Sequence, residues 1–238
     1  MVVLATKLYV RGDARERARS GLTALVDNAI GELEVEYETG IRHDDFPTVT
    51  IEGPDAVVAR NVLTEEWGAI TDEFEPGETY VGTLEGWDDD GFVLDAGREV
   101  RVPTEELGLG PGTPAQLVER FGLVQHLPMR FVWGQEEADG TGAPGGSSSV
   151  GGAARLADAE RDRLYDWRRG PGRVNVNSAT RGEVRATVNR AGHAQDIVTV
   201  ERLGLLEQSV ICRESTDPPG LLAAIGRHLP SEMRCVIP

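Results

Sequence analysis

GETYVGTLEGWDDDGFVLDAGREVRVPTEEL, residues 77–107, decides how the chain is read. Its alternation predicts a strand over 78–86, a hairpin turn at Asp88-Asp89-Asp90-Gly91, a second strand over 92–96 and a third over 99–102. Three strands joined this tightly are expected to open a five-stranded OB barrel, a fold that takes oligonucleotides across its second and third strands. A helical insert at 114–121 and a closing strand at 129–133 complete the expected barrel, residues 76–134.

Upstream, residues 2–10 are expected as a strand, and Asp13 with Glu16 three residues on gives a capping-box start to a helix. Ala14, Ala18, Leu22, Leu25, Val26, Ala29 and Ile30 recur at helical spacing, so that helix is expected to lay one face on a sheet. Strands over 33–37 and 48–51, a helix from Pro54 to Trp67 and a last strand over 69–74 follow. Downstream, residues 135–152 are rich in Gly and Ser and are expected to be a flexible linker. Beyond it come a helix over 153–168, a strand over 173–177 and a helix opened by the Thr180/Glu183 capping box. Strands over 196–203 and 205–212, a helix through His228 and a strand over 234–237 complete this end. The expected class is α+β, with two ferredoxin-like βαββα(β) units, 1–75 and 153–238, flanking a small OB-like β-barrel.

Formal net charge is −16, and Lys7 is the only lysine among 24 basic residues. Acidity with so little lysine is expected of a surface adapted to concentrated salt. At about 1 M salt the Debye length is only about 3 Å, so net negative charge does not by itself exclude nucleic acid. There is no apolar run near membrane-spanning length and no signal-like start, so the expectation is a cytoplasmic protein without membrane contact. Cys212 and Cys235 form no C-x-x-C pair and read as small buried hydrophobes.

Against the acidic background, residues 161–190 hold eight arginines and three acids. Arg168-Arg169-Gly170-Pro171-Gly172-Arg173 is a glycine-rich basic loop whose backbone can approach phosphate, and Arg181 and Arg185 stand one helical turn apart. The opposite reading, arginines paired with Asp158, Asp162 and Asp166 on a solvated face, stays open. None of His43, His126, His193 and His228 sits in a zinc pattern. His193, three residues before Asp196, reads as closing a helix end more readily than as a proton shuttle. The Asp88–Asp90 triplet reads as a solvated turn, not a metal site, and no nucleophile elbow or phosphate loop is present. No catalytic residue, metal or cofactor is expected, and the chain reads as a non-enzyme.

Two resemblances sharpen these expectations. Gly77, Val81-Gly82, Gly91-Phe92-Val93, Gly97 and the 102–107 end are similar to the RNA-binding barrel of the ribosomal-protein S-one type. That likeness implies base stacking by Phe92, with Trp87 beside it, while the residues alone leave both open as barrel-packing aromatics. Residues 190–193, 196–198, 201–204, Cys212-Arg213 and 216–221, with 121–124 and Leu127-Pro128, resemble an archaeal family catalogued as domain of unknown function 2110. The family brings no established activity, and it implies an information-processing role and, by composition, a haloarchaeal member. The leading expectation is binding of RNA or single-stranded nucleic acid in transcription or translation. Trp87 and Phe92 would stack bases, and Arg98, Arg101, Arg168, Arg169, Arg173, Arg181 and Arg185 would meet phosphates. The alternatives are a protein-docking module on a polymerase or ribosome, and a small-ligand regulatory domain.

Overall fold

The computed structural model describes residues 1–71, 73–134 and 154–238, so the expected linker at 135–152 lies outside the described residues. Among the described residues the chain is a mixed α+β protein with six helices and three antiparallel sheets.

The first sheet joins β1 (Val2–Val3), β2 (Glu36–Ile41) and β3 (Pro47–Glu52) in the order β1-β3-β2. Helices α1 (Asp13–Ile30) and α2 (Ala56–Trp67) cover it. In α1 the four-residue spacing of Ala18, Leu22, Val26 and Ile30 becomes a fully buried stripe. The expected capping box does not form. Gly12, at φ 57°, is the N-cap and offers no side-chain acceptor. The expected first strand shrinks to two residues because residues 5–10 leave the sheet to meet the other two segments. Of the expected strand over 69–74, only a bridge between Leu4 and Ala69 forms among the described residues.

The second sheet joins β4 (Thr79–Asp88), β5 (Gly91–Asp95), β6 (Glu99–Pro103), β7 (Pro128–Val132) and β8 (Arg155–Leu156), ordered β6-β5-β4-β7-β8 and curled into a half-barrel. The hairpin requires glycine at its exit. Gly91 has φ 152°, and a Cβ there would collide with the Val102 carbonyl oxygen. Helix α3 (Pro114–Phe121) opens with a Thr113/Gln116 capping box. Helix α4 (Asp158–Arg169) buries Leu164 and Trp167 in the half-barrel's core, and β8 pairs with β7. Residues 154–169 thus join the central sheet and its core, and from there α4 also touches the last unit. A two-residue strand carries too little alternation to be seen in sequence.

The third sheet joins β9 (Arg173–Val176), β10 (Ile197–Arg202), β11 (Gln208–Cys212) and β12 (Met233–Val236), ordered β10-β11-β9-β12. Helices α5 (Arg181–Arg190) and α6 (Pro218–Gly226) follow β9 and β11. Thr180 and Glu183 make the expected capping box, and the Asp217 carboxylate accepts from Gly220 N at the start of α6. The three segments pack on one another: Leu205 and Leu206 enter the core of the first, and Val236 enters the half-barrel.

Candidate nucleic-acid interface

The half-barrel turns Phe92 inward. It pairs with Trp87 across β4 and Val102 across β6, is fully buried, and has no ring face left for a base. That corrects the expected stacking role. Trp87 is half-buried against the same core, with the Arg234 guanidinium 5.4 Å from its ring centre. Both rings are therefore occupied by protein. Phe92→Leu keeps an apolar core while removing the aromatic face. It is expected to cost roughly 1 kcal/mol and to leave the affinity for a fluorescent RNA strand unchanged; lost affinity at an unchanged melting temperature would restore the stacking role.

Of the seven arginines expected at phosphates, five are held by protein. Arg101 bonds both Asp88 oxygens at 2.7 Å. Arg173 is 8% exposed, 3.3 Å from Glu201 and 4.8 Å from the Trp167 ring centre, and burial pulls its pKa below the ordinary arginine value. It cannot reach a phosphate from there, which corrects its expected role. Arg168 donates to the Ile237 carbonyl at 2.8 Å and Arg181 to the Val200 carbonyl at 2.7 Å. Arg169 meets Asp166 at 3.3 Å with both side chains mostly exposed, a contact water readily replaces. Arg98 and Arg185 are exposed with no carboxylate partner among the described residues. Arg98 lies over the half-buried rings of Phe74, at 4.2 Å, and Trp133, at 4.7 Å.

The glycine-rich loop gains partners that sequence spacing did not reveal. Residues 170–172 face the turn after β11 across a pocket of about 840 Å³, lined by Arg169, Arg213, Ser215, Thr216 and Pro238, with Glu214 as its one acidic side chain. A bulge between Ile197 and Thr199 brings the exposed Val198 to the same rim. Cys212 also lines the pocket, but burial pushes its thiol up to about 11, so it stays protonated near neutral pH. Arg181 and Arg185, on α5, do not line it. His193 sits at the end of α5 with Nδ1 2.7 Å from an Asp196 oxygen.

A second polar cluster was invisible in the sequence apart from the single lysine. Lys7 Nζ stands 2.9 Å from Glu85 Oε1 and 2.7 Å from Asp95 Oδ2. Glu85 is the extra residue of a bulge in β4, and it also accepts from Thr83 at 2.7 Å and lies 3.2 Å from His126 Nδ1. The His126 ring stacks at 3.9 Å on Tyr9, whose hydroxyl donates to Glu207 at 2.7 Å and accepts from Ser178 N at 2.8 Å. His126 and Ser178 hold left-handed backbone, φ 66° and 57°, strain that the surrounding bonds sustain. Burial works against charge on Glu85, yet hydrogen bonds from His126, Thr83 and Lys7 hold it down at about 2. Burial pushes Glu207 up to about 8.

Among the described residues no three His, Cys, Asp or Glu side chains gather to hold a metal, and no helix is long and apolar enough to cross a membrane. No curated protein matches the chain. Its three structural segments, however, correspond in turn to three family descriptions: the DUF2110 N-terminal domain over residues 1–73, the central domain over 74–168 and the C-terminal domain over 171–237. The central match closes at the end of α4, where the packing also places the boundary, and with all but a few residues matched the chain belongs to the DUF2110 family.

Proposed function

We propose that the chain is a non-enzymatic nucleic-acid-binding protein that takes RNA or single strands, as a factor of transcription or translation, through the pocket between loop 170–172 and residues 213–216. One observation carries this reading. In a chain of net charge −16, this pocket gathers two exposed guanidiniums, two hydroxyls and glycine backbone around a single acidic side chain. Arg98 over its two rings offers a second cationic contact on the half-barrel, in place of Phe92. The fold assignments consistent with this role are an OB-like half-barrel and ferredoxin-like outer units. The approach of edge strands β6 and β8 supports the first. The β10-β11-β9-β12 order, with helices after its first and third strands in sequence, supports the second. The non-enzymatic reading is supported by Glu207, the carboxyl shifted furthest upward, being sealed among protein groups.

The test is the double variant Arg169→Ala/Arg213→Ala, with binding of a labelled RNA strand followed by anisotropy across a salt series. Two lost phosphate contacts are expected to flatten the slope of log affinity against log salt by about 1.4. An unchanged slope would remove this interface and shift weight to docking on an acidic protein partner.

A further inference from the structure

A cleft of about 700 Å³ opens where the three segments meet, bordered by the end of α2, the start of β4, and Arg130, Arg163 and Arg202. Its charges are unevenly matched. Arg130 and Arg163 share one carboxylate, that of the fully buried Glu160. Arg163 Nε donates to it at 3.0 Å, the Arg130 backbone N–H at 3.3 Å, and the Arg130 guanidinium stands 3.6 Å away. Two cations on one anion leave an unsatisfied positive charge at this place. Arg202 is paired with Glu66 and lies 4.6 Å from the Trp67 ring centre. Glu65, Glu73 and Glu75 line the same cleft, and none has a cationic partner among the described residues. Trp67 is 7% exposed, yet its indole N–H finds no acceptor among the described residues.

We infer that this cleft binds a small zwitterion with a basic side chain, of the class of a free basic amino acid. Its carboxylate would meet the Arg130/Arg163 pair and supply the acceptor that Trp67 lacks, and its ammonium groups would meet the unpaired glutamates. A purely cationic guest leaves the surplus guanidinium and the indole N–H unmatched. A purely anionic guest faces three unpaired carboxylates. The volume lies within the range of ordinary small-molecule sites, and a junction of segments is a common place for one. This site is separate from the pocket at loop 170–172 and stands or falls independently of it.

The test uses the full chain labelled with nitrogen-15, with the Trp67 indole resonance identified by its disappearance in Trp67→Phe. Three probes are titrated: L-lysine, cadaverine, which keeps both amines without the carboxylate, and glutarate, which keeps only carboxylates. The expected result is a saturable shift with L-lysine, half-complete near about 1 mM, and at least about tenfold weaker response to the other two. Arg130→Gln should raise the half-saturation point about tenfold with the melting temperature retained, since Arg163 still satisfies Glu160. An unmoved resonance, an equal response to cadaverine, or unchanged affinity in Arg130→Gln would each overturn the inference.

Discussion

Glu207→Ala is expected to lower stability by about 4 kcal/mol, or about 10 °C in melting temperature, whereas Glu207→Gln is expected to stay within about 1 kcal/mol of the parent. Glu207 is fully buried. One oxygen accepts from the Tyr9 hydroxyl at 2.7 Å and the other from the Leu206 backbone N–H at 3.3 Å. Alanine leaves a cavity and strands a Tyr9 hydroxyl whose ring is already packed on His126. Gly204 belongs to the same fit, because a Cβ there would collide with the second Glu207 oxygen. Glutamine keeps the volume and the acceptor for the Tyr9 hydroxyl; besides the ability to ionise it gives up only the acceptor of the longer, 3.3 Å contact from the Leu206 N–H. Thermal melts of the three proteins check this, and equal losses for Ala and Gln would mean that Glu207 acts as a carboxylate after all.

The same residue sets a pH dependence whose sign is fixed. Its folded value, about 8, lies above the ordinary 4.5. Below pH 4.5 both folded and unfolded chains hold the proton, and the contribution is fully present. As pH rises toward 8 the unfolded chain releases its proton while the folded chain must keep it, so stability falls across that window by on the order of a few kcal/mol. The groups facing Glu207 divide: the hydrogen bonds it accepts from Tyr9 and Leu206 favour its charged form, and burial outweighs them. The Tyr9 hydroxyl is itself driven upward by burial and the nearby carboxylate, and Glu85 adds like charge. Glu85 behaves oppositely. Held at about 2, it contributes stability above 4.5 that is lost as pH falls toward 2. Melting temperature is therefore expected to peak on the mildly acidic side, and Glu207→Gln should flatten only the alkaline limb.

How much of this was legible depends on the range of the interaction. The hairpins of 77–107 fell where alternation and the acidic turn put them, β4, β5 and β6 ending within two residues of expectation, because those signals are local. The Thr180/Glu183 box formed for the same reason. Phe92 was misassigned despite a local signal: it shares strand parity with the buried Leu94, so the sheet's own period turns it inward. By contrast, Tyr9 meets Glu207 across 198 residues and Lys7 meets Asp95 across 88, and no spacing rule reaches that far. Glu85 enters the cluster through a bulge, which shifts parity by one residue and hides it further. The pocket beside the glycine-rich loop was half legible. Its Arg169 side was in the sequence, but Arg213, Ser215 and Thr216 arrive from the turn after β11 only once the third sheet forms.

Lys7→Met is expected to cost about 3–5 kcal/mol, and Lys7→Arg to be clearly destabilising as well. The residue is 8% exposed, stands between Glu85 and Asp95, and lies 5.0 Å from the Phe46 ring centre. Burial works against its charge, but bonds to Asp95 and Glu85 raise its pKa nonetheless, so its contribution holds through neutral pH and fades only under strong alkali. Methionine preserves the packed stem while leaving two partly buried carboxylates facing each other without a cation. Arginine preserves the charge but brings a broad planar fork to a site filled by a compact ammonium with two acceptors and a ring around it. A chain that uses arginine for every other cationic side chain keeps lysine at this one position. The geometry supplies the reason: Lys7 bolts the first segment to β4 and β5 where only a point charge fits. Chemical denaturation of the two variants, with the Glu85 carboxyl followed by NMR titration, checks both halves. In Lys7→Met the Glu85 pKa should rise from about 2, and an unmoved Glu85 with parental stability would show that the ammonium is dispensable.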